Sequence, residues 1–86
     1  MPQISYFYGI IVYIQFMDHN PPHIHVAYQS FKAQYSINEA KLLRGKMPNK
    51  ADQLVREWIE LRKQELLADW DLAKDGKPVY AISPLE

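Results

Sequence analysis

All three histidines of this 86-residue chain, His19, His23 and His25, fall in the run Asp18-His19-Asn20-Pro21-Pro22-His23-Ile24-His25. Imidazole titrates near neutral pH and is a common metal ligand, so a cluster beside a carboxylate marks the candidate catalytic and metal-binding centre. Strand side chains two apart share a face. His23 and His25 can therefore converge on one divalent cation such as zinc, with His19 or Asp18 reaching over from the turn as a third ligand. Three protein ligands leave a coordination position open, which is the catalytic type of zinc site. A metal-free alternative is acid–base cleavage of RNA: one imidazole takes the proton of a 2′-hydroxyl while another group protonates the leaving oxygen. Lys32, Arg44 and Lys46 are then the phosphate-holding cations, and Tyr13 or Tyr28 the stacking surface for a base. A third reading is architectural. Two prolines stiffen the turn, Asn20 is pushed to an extended conformation by the proline after it, Asp18 bonds turn amides, and the histidines decorate an exposed face. Either Asn20-Pro21 or Pro21-Pro22 can be cis.

These side chains need elements to position them. Ile10 to Phe16 is rich in β-branched and aromatic residues, follows Gly9 and stops at the turn-forming Asp18 to Pro22, so it reads as a buried strand. From His23 to Tyr28 the character alternates, with Ile24, Val26 and Tyr28 on one face and His23, His25 and Ala27 on the other. Phe31, Ala33, Tyr35 and Ile37 alternate with Lys32, Gln34 and Ser36 in a third strand, after a tight turn at Gln29-Ser30. Pairing Met17 with His23 and Gln15 with His25 puts Phe16, Ile14 and Val12 on the face of Ile24 and Val26. Pairing Tyr28 with Phe31 sets Val26 against Ala33 and Ile24 against Tyr35. The other face then carries His23 and His25 with the binding candidates Tyr13, Gln15, Lys32 and Gln34. On this reading the two histidines point away from the main core.

Lys41 to Arg44 supplies a short fourth strand or a helical turn. Ala51, Leu54, Val55, Trp58 and Leu61 recur at helical spacing, with Asn49 as N-cap and Asp52 in the first turn near the positive end of the helix dipole. Leu66, Leu67, Trp70 and Ala73 form a second pattern that does not continue the first in phase. A bend or break is expected around Arg62 to Gln64, and a helix end before Gly76. The tail through Val79 to Ile82 is a candidate edge strand before Pro84. The expected fold is one α+β domain: an antiparallel meander of three to four strands over residues 1–47, two C-terminal helices packed on one face within 48–76, and a tail or edge strand at 77–86. Trp58 and Trp70 are its expected anchors.

Ten Lys and Arg balance ten Asp and Glu, so no global field draws in a polyanion, and any nucleic-acid surface must be a local patch. A net charge near zero favours self-association or a protein partner. The chain has no cysteine, which excludes disulfides, thiolate nucleophiles and Cys-based zinc knuckles. Its start lacks the basic region of a signal peptide, and its longest apolar run is too short to cross a bilayer. A cytoplasmic protein with no membrane association is expected.

The opening Met1-Pro2-Gln3-Ile4-Ser5 with Phe7-Tyr8-Gly9, the turn Asp18 to Val26, Gly45-Lys46-Met47-Pro48, and the Trp58 to Trp70 segment closing in Gly76-Lys77-Pro78 together resemble the small prokaryotic domain-of-unknown-function family 4160. The resemblance covers nearly the whole chain, and its turn motif is distinctive. It carries no settled activity. It implies a bacterial protein often encoded beside another small domain, in an arrangement like a toxin–antitoxin pair. The leading expectation is a component of such a pair that binds a small protein partner or a second copy of itself. The alternative is a ribonuclease-like or metal-dependent enzyme built on His19, His23 and His25.

Overall fold

A computed structural model describes residues 2–86. The fold is α+β. An antiparallel sheet is formed by β1 (Gln3–Phe7), β2 (Ile10–Tyr13), β3 (His23–Tyr28), β4 (Phe31–Ser36) and β5 (Lys41–Gly45), in that order across the sheet, and α1 (Asn49–Leu61) and α2 (Lys63–Lys74) follow. The sheet has five strands, not three or four. The extra one is β1, whose buried residues Ile4, Ser5 and Phe7 do not alternate because its pairing with β2 is irregular between Gln3 and Ser5. That irregularity removes the two-residue period by which a strand is recognised in sequence. Tyr8 and Gly9, both at positive φ (51° and 81°), make the two-residue turn from β1 to β2, the conformation that matches strand twist.

The β3–β4 register is the expected one, Val26 opposite Ala33 and Ile24 opposite Tyr35. The β2–β3 register differs by two residues: Tyr13, not Gln15, lies opposite His25. β2 ends at Tyr13, and the next amide, that of Ile14, bonds to Pro2 O at 3.1 Å on the β1 side. A slip of two leaves every side chain on its face, so Val12, Ile14, Ile24 and Val26 are all fully buried. Phe16, beyond the strand end, is instead 45% exposed.

Ala51, Val55, Trp58 and Ile59 of α1 and Leu66, Trp70 and Ala73 of α2 complete the core. Trp58 lies 5.2 Å from the Phe7 ring, and its Nε1 donates to Ser83 O at 2.8 Å. Pro48, not Asn49, occupies the N-cap position, and no side chain caps the helix. Asp52 does more than face the dipole. It accepts from the Tyr35 hydroxyl at 2.6 Å and from Arg56 Nε at 2.8 Å, satisfying a fully buried tyrosine. The helix breaks at Arg62 (φ −113°, ψ 19°). Apolar phase is not the cause, since at 100° per residue Val55, Ile59, Leu66 and Ala73 lie within about 40° of one another. α2 closes in a Schellman cap: Gly76 N, at φ 72°, bonds to Ala73 O and Lys77 N to Leu72 O.

The tail forms no strand. It is a strap along β1, held by Ile82 N to Ile4 O at 2.8 Å and by Tyr80 N to the buried Asp69 Oδ1 at 3.0 Å, with Ile82 and Leu85 in the core. Burial, with Glu65 nearby, pushes the Asp69 carboxyl above its ordinary value, against the Tyr80 amide that lowers it. Among the described residues, no helix is long and apolar enough to cross a membrane.

A carboxylate between two imidazoles

The nine residues from Ile14 to Pro22 separate β2 from β3 and are pinned at both ends. Met17, at φ 56°, donates its amide to Ala73 O of α2 at 2.9 Å, and Ile37 N bonds to Pro22 O at 3.0 Å. The Asn20-Pro21 bond is cis. The loop so held returns Asp18 over the start of β3. A single oxygen, Asp18 Oδ2, lies 3.0 Å from His23 Nε2 and 3.1 Å from His25 Nε2, and Oδ1 accepts from His19 N at 2.8 Å.

The histidines are not on an exposed face. His23 is 7% and His25 9% exposed. His23 lies 5.3 Å from the Trp70 ring and His25 is stacked on Tyr13 at 5.4 Å, so α2 and β2 cover what strand alternation alone leaves open. Burial raises the Asp18 carboxyl, but the His25 hydrogen bond, the His19 amide and the positive character of both imidazoles outweigh it and hold the group below its ordinary value.

The hydrogen bonding of His23 fixes its tautomer. Its Nδ1 lies 2.8 Å from Pro21 O, which can only accept, so Nδ1 carries a proton. In the neutral ring Nε2 then presents a lone pair to a carboxylate at 3.0 Å, two acceptors facing each other. Only a second proton on that ring or a cation between the two groups makes the contact favourable. A histidine that gives one N–H to a backbone carbonyl and turns its other nitrogen to a carboxylate oxygen has the outer hydrogen bond typical of metal-ligating histidines. The ligand atoms of Asp18, His23 and His25 all lie within 4.8 Å of one another. Ligands about 2.0–2.1 Å from a tetrahedral zinc stand roughly 3.3 Å apart, so small side-chain movements seat one.

A depression of about 460 Å³ opens in front of the cluster, bordered by Gln15, Asn20, Leu43 and the ring-bearing residue His19. A second, of about 230 Å³, adjoins it along His25, Gln34 and Arg44 and reaches Tyr13, Lys32 and Gly45. Gly45 sits at φ 89°, where a Cβ would collide with the Lys32 carbonyl; this close approach of β5 to β4 shapes the groove floor. Of the residues singled out in the sequence, Asp18, His23 and His25 form the cluster, and Tyr13, Gln15, His19, Asn20, Lys32, Gln34 and Arg44 line the groove. His19 is exposed and joins the cluster only through its amide. Lys46 lines neither depression, and Tyr28 packs against the core. The sequence marks Trp70 as a core anchor but not as a neighbour of His23, and it does not mark the Pro21 carbonyl. Nothing local marks either contact, since one comes from α2 and the other is backbone.

A protein-family model, that of the domain of unknown function DUF4160, matches residues 9–71. The match takes in β2 to β5, the whole site loop, α1 and most of α2, through Asp71. No curated protein and no solved structure matches the chain.

Asp18 binds its proton less readily in the folded chain than in the unfolded one. Its stabilisation is therefore fully present above the ordinary value of 3.8 and is lost as pH falls from there through the lower folded value. The variant Asp18→Asn is expected to lose ~1 kcal/mol at pH 7 and to show a flatter loss of stability below pH ~4. Thermal unfolding followed by circular dichroism across pH 2–7 reads both effects.

Proposed function

The chain belongs to the DUF4160 family, whose description assigns no activity, and from the geometry of its loop we propose that it is a divalent-metal-dependent hydrolytic enzyme centred on Asp18, His23 and His25. The single observation that carries this reading is His23. Its proton is committed to the Pro21 carbonyl, and its free nitrogen faces the same carboxylate oxygen that His25 faces. Two imidazole nitrogens and one carboxylate oxygen suit a borderline cation of the zinc or manganese kind. Asp18, His23 and His25 would hold such a cation beside the groove, where it would supply Lewis acidity toward a substrate oxygen or a water. The chain's own contribution is orientation: Pro21 O and Trp70 fix the His23 ring, Tyr13 fixes that of His25, and burial excludes competing water from the inner side.

A second reading keeps the protein as the interaction component of a toxin–antitoxin-like pair, and one observation favours it. The outer edge of β1 is strapped by the tail, whereas β5 ends the sheet with four of its five residues exposed and Leu43 at 44%. An unpaired edge is where a partner or a second copy adds a strand. Leu43, Arg44 and Gly45 of that edge also line the two depressions, so a strand added there closes over the groove. This second reading places the protein in the cytoplasm.

Two measurements separate them. Tag-free protein titrated with zinc or manganese is expected to bind one cation per chain, with His25→Gln and Asp18→Asn each weakening affinity at least ~10-fold while circular dichroism shows a retained fold. Binding no tighter than in the double variant His23→Gln/His25→Gln contradicts the metal reading. Co-expression with the product of the neighbouring gene, followed by size-exclusion chromatography, is expected on the second reading to give a complex that Leu43→Lys disrupts. A chain that stays monomeric beside that product contradicts it.

A further inference from the structure

The metal site occupies one end of the groove and gives the rest of it no role. The adjoining depression joins Lys32 and Arg44, neither of which forms an ion pair with a carboxylate among the described residues, to the Tyr13 ring and the Gln34 amide. His25 belongs to both depressions. A ligand seated against the two cations therefore reaches the metal-ligating ring without a gap.

From this juxtaposition we infer that the groove binds a single-stranded polynucleotide, with Lys32 and Arg44 on successive phosphates, Tyr13 against a base, and the next phosphodiester beyond Arg44 presented to the Asp18, His23 and His25 site. For the chemistry this rests on the metal reading; for the contact it does not. Two physical features select this occupant. Uncompensated cations beside an accessible aromatic ring and a side-chain amide are what single strands require, since phosphates need charge and unstacked bases need a flat face. The groove is an open furrow, not an enclosed cavity, which suits a polymer passing through. The zero net charge of the chain leaves attraction to these few groups, so few counterions are released on binding. The reaction balances without oxidant or reductant: a water oxygen bonds to phosphorus, the phosphorus–oxygen bond to one sugar breaks, and the proton lost by water ends on the leaving sugar oxygen.

The test is the salt dependence of binding for fluorescently labelled eight-residue RNA and DNA strands with zinc present, zinc affinity being measured on the same preparations. Each neutralised phosphate contributes about −0.7 to the slope of log K against log salt. Two contacts thus predict a slope of roughly −1.4 for the native protein and roughly −0.7 for Arg44→Gln or Lys32→Gln. Lys63→Gln, on α2, is expected to leave the slope unchanged. Tyr13→Leu is expected to weaken binding at least ~5-fold without changing the slope. The RNA and DNA arms show whether the sugar hydroxyl is read. Zinc binding by the native protein with no strand binding, or a slope that neither cation substitution alters, overturns the inference and leaves the metal reading standing. Strand binding with these slopes but no zinc binding supports the inference and overturns the metal reading.

Discussion

One carboxylate oxygen held between two buried imidazole nitrogens is the constraint on which the site depends. Asp18 belongs to a loop and His23 and His25 to a strand, and each must be brought in at a cost in conformational entropy. The loop is ordered by contacts at both ends, to α2 through Met17 and to the residue after β4 through Pro22. The histidines are ordered by β3, one of the central strands of the sheet. The cluster therefore reports on the whole fold. If α2 moves, Trp70 leaves His23 and the loop loses its anchor at Ala73.

The same geometry divides the work between the two rings. His23 is fixed from behind by a backbone carbonyl and from the side by an indole, so its free nitrogen has one direction to face. His25 stands between the cluster and the groove, stacked on a tyrosine that itself borders the groove. Such rigidity is what a preorganised site needs, because side chains already aimed need not be ordered when a cation or substrate arrives. The cluster is tolerated at this depth once a second proton on His23 or a cation completes its contact with Asp18, because a buried polar group is costly only when unpartnered.

How much of this was legible in the sequence follows from where each signal resides. The alternation of Ile24 and Val26 with His23 and His25 identified β3 and its two faces, because an even register slip cannot exchange faces. It did not reveal what covers the histidines. That cover is Trp70, far along the chain, and strand periodicity carries no information on it. β1 was missed because an irregular pairing erased its period, although Ile4, Tyr6, Phe7 and Tyr8 before Gly9 carry β-forming composition. His19 shows the limit of reading clusters from proximity in sequence. It adjoins Asp18, yet its ring stays in solvent while its amide does the bonding. Asp18 takes the third place because loop closure, not spacing, brings it to the histidines.

The proposed site requires His23 to be held as the Nδ1-protonated tautomer, with its Nε2 left for a cation. Long-range proton–nitrogen NMR of the imidazole rings at pH 8 tests this directly. The expected result is a protonated Nδ1 on His23 without metal and, on addition of one equivalent of zinc, a metal-type shift at Nε2 of both His23 and His25, with His19 unchanged. A His23 ring protonated at Nε2, or ring nitrogens that ignore zinc, would contradict it.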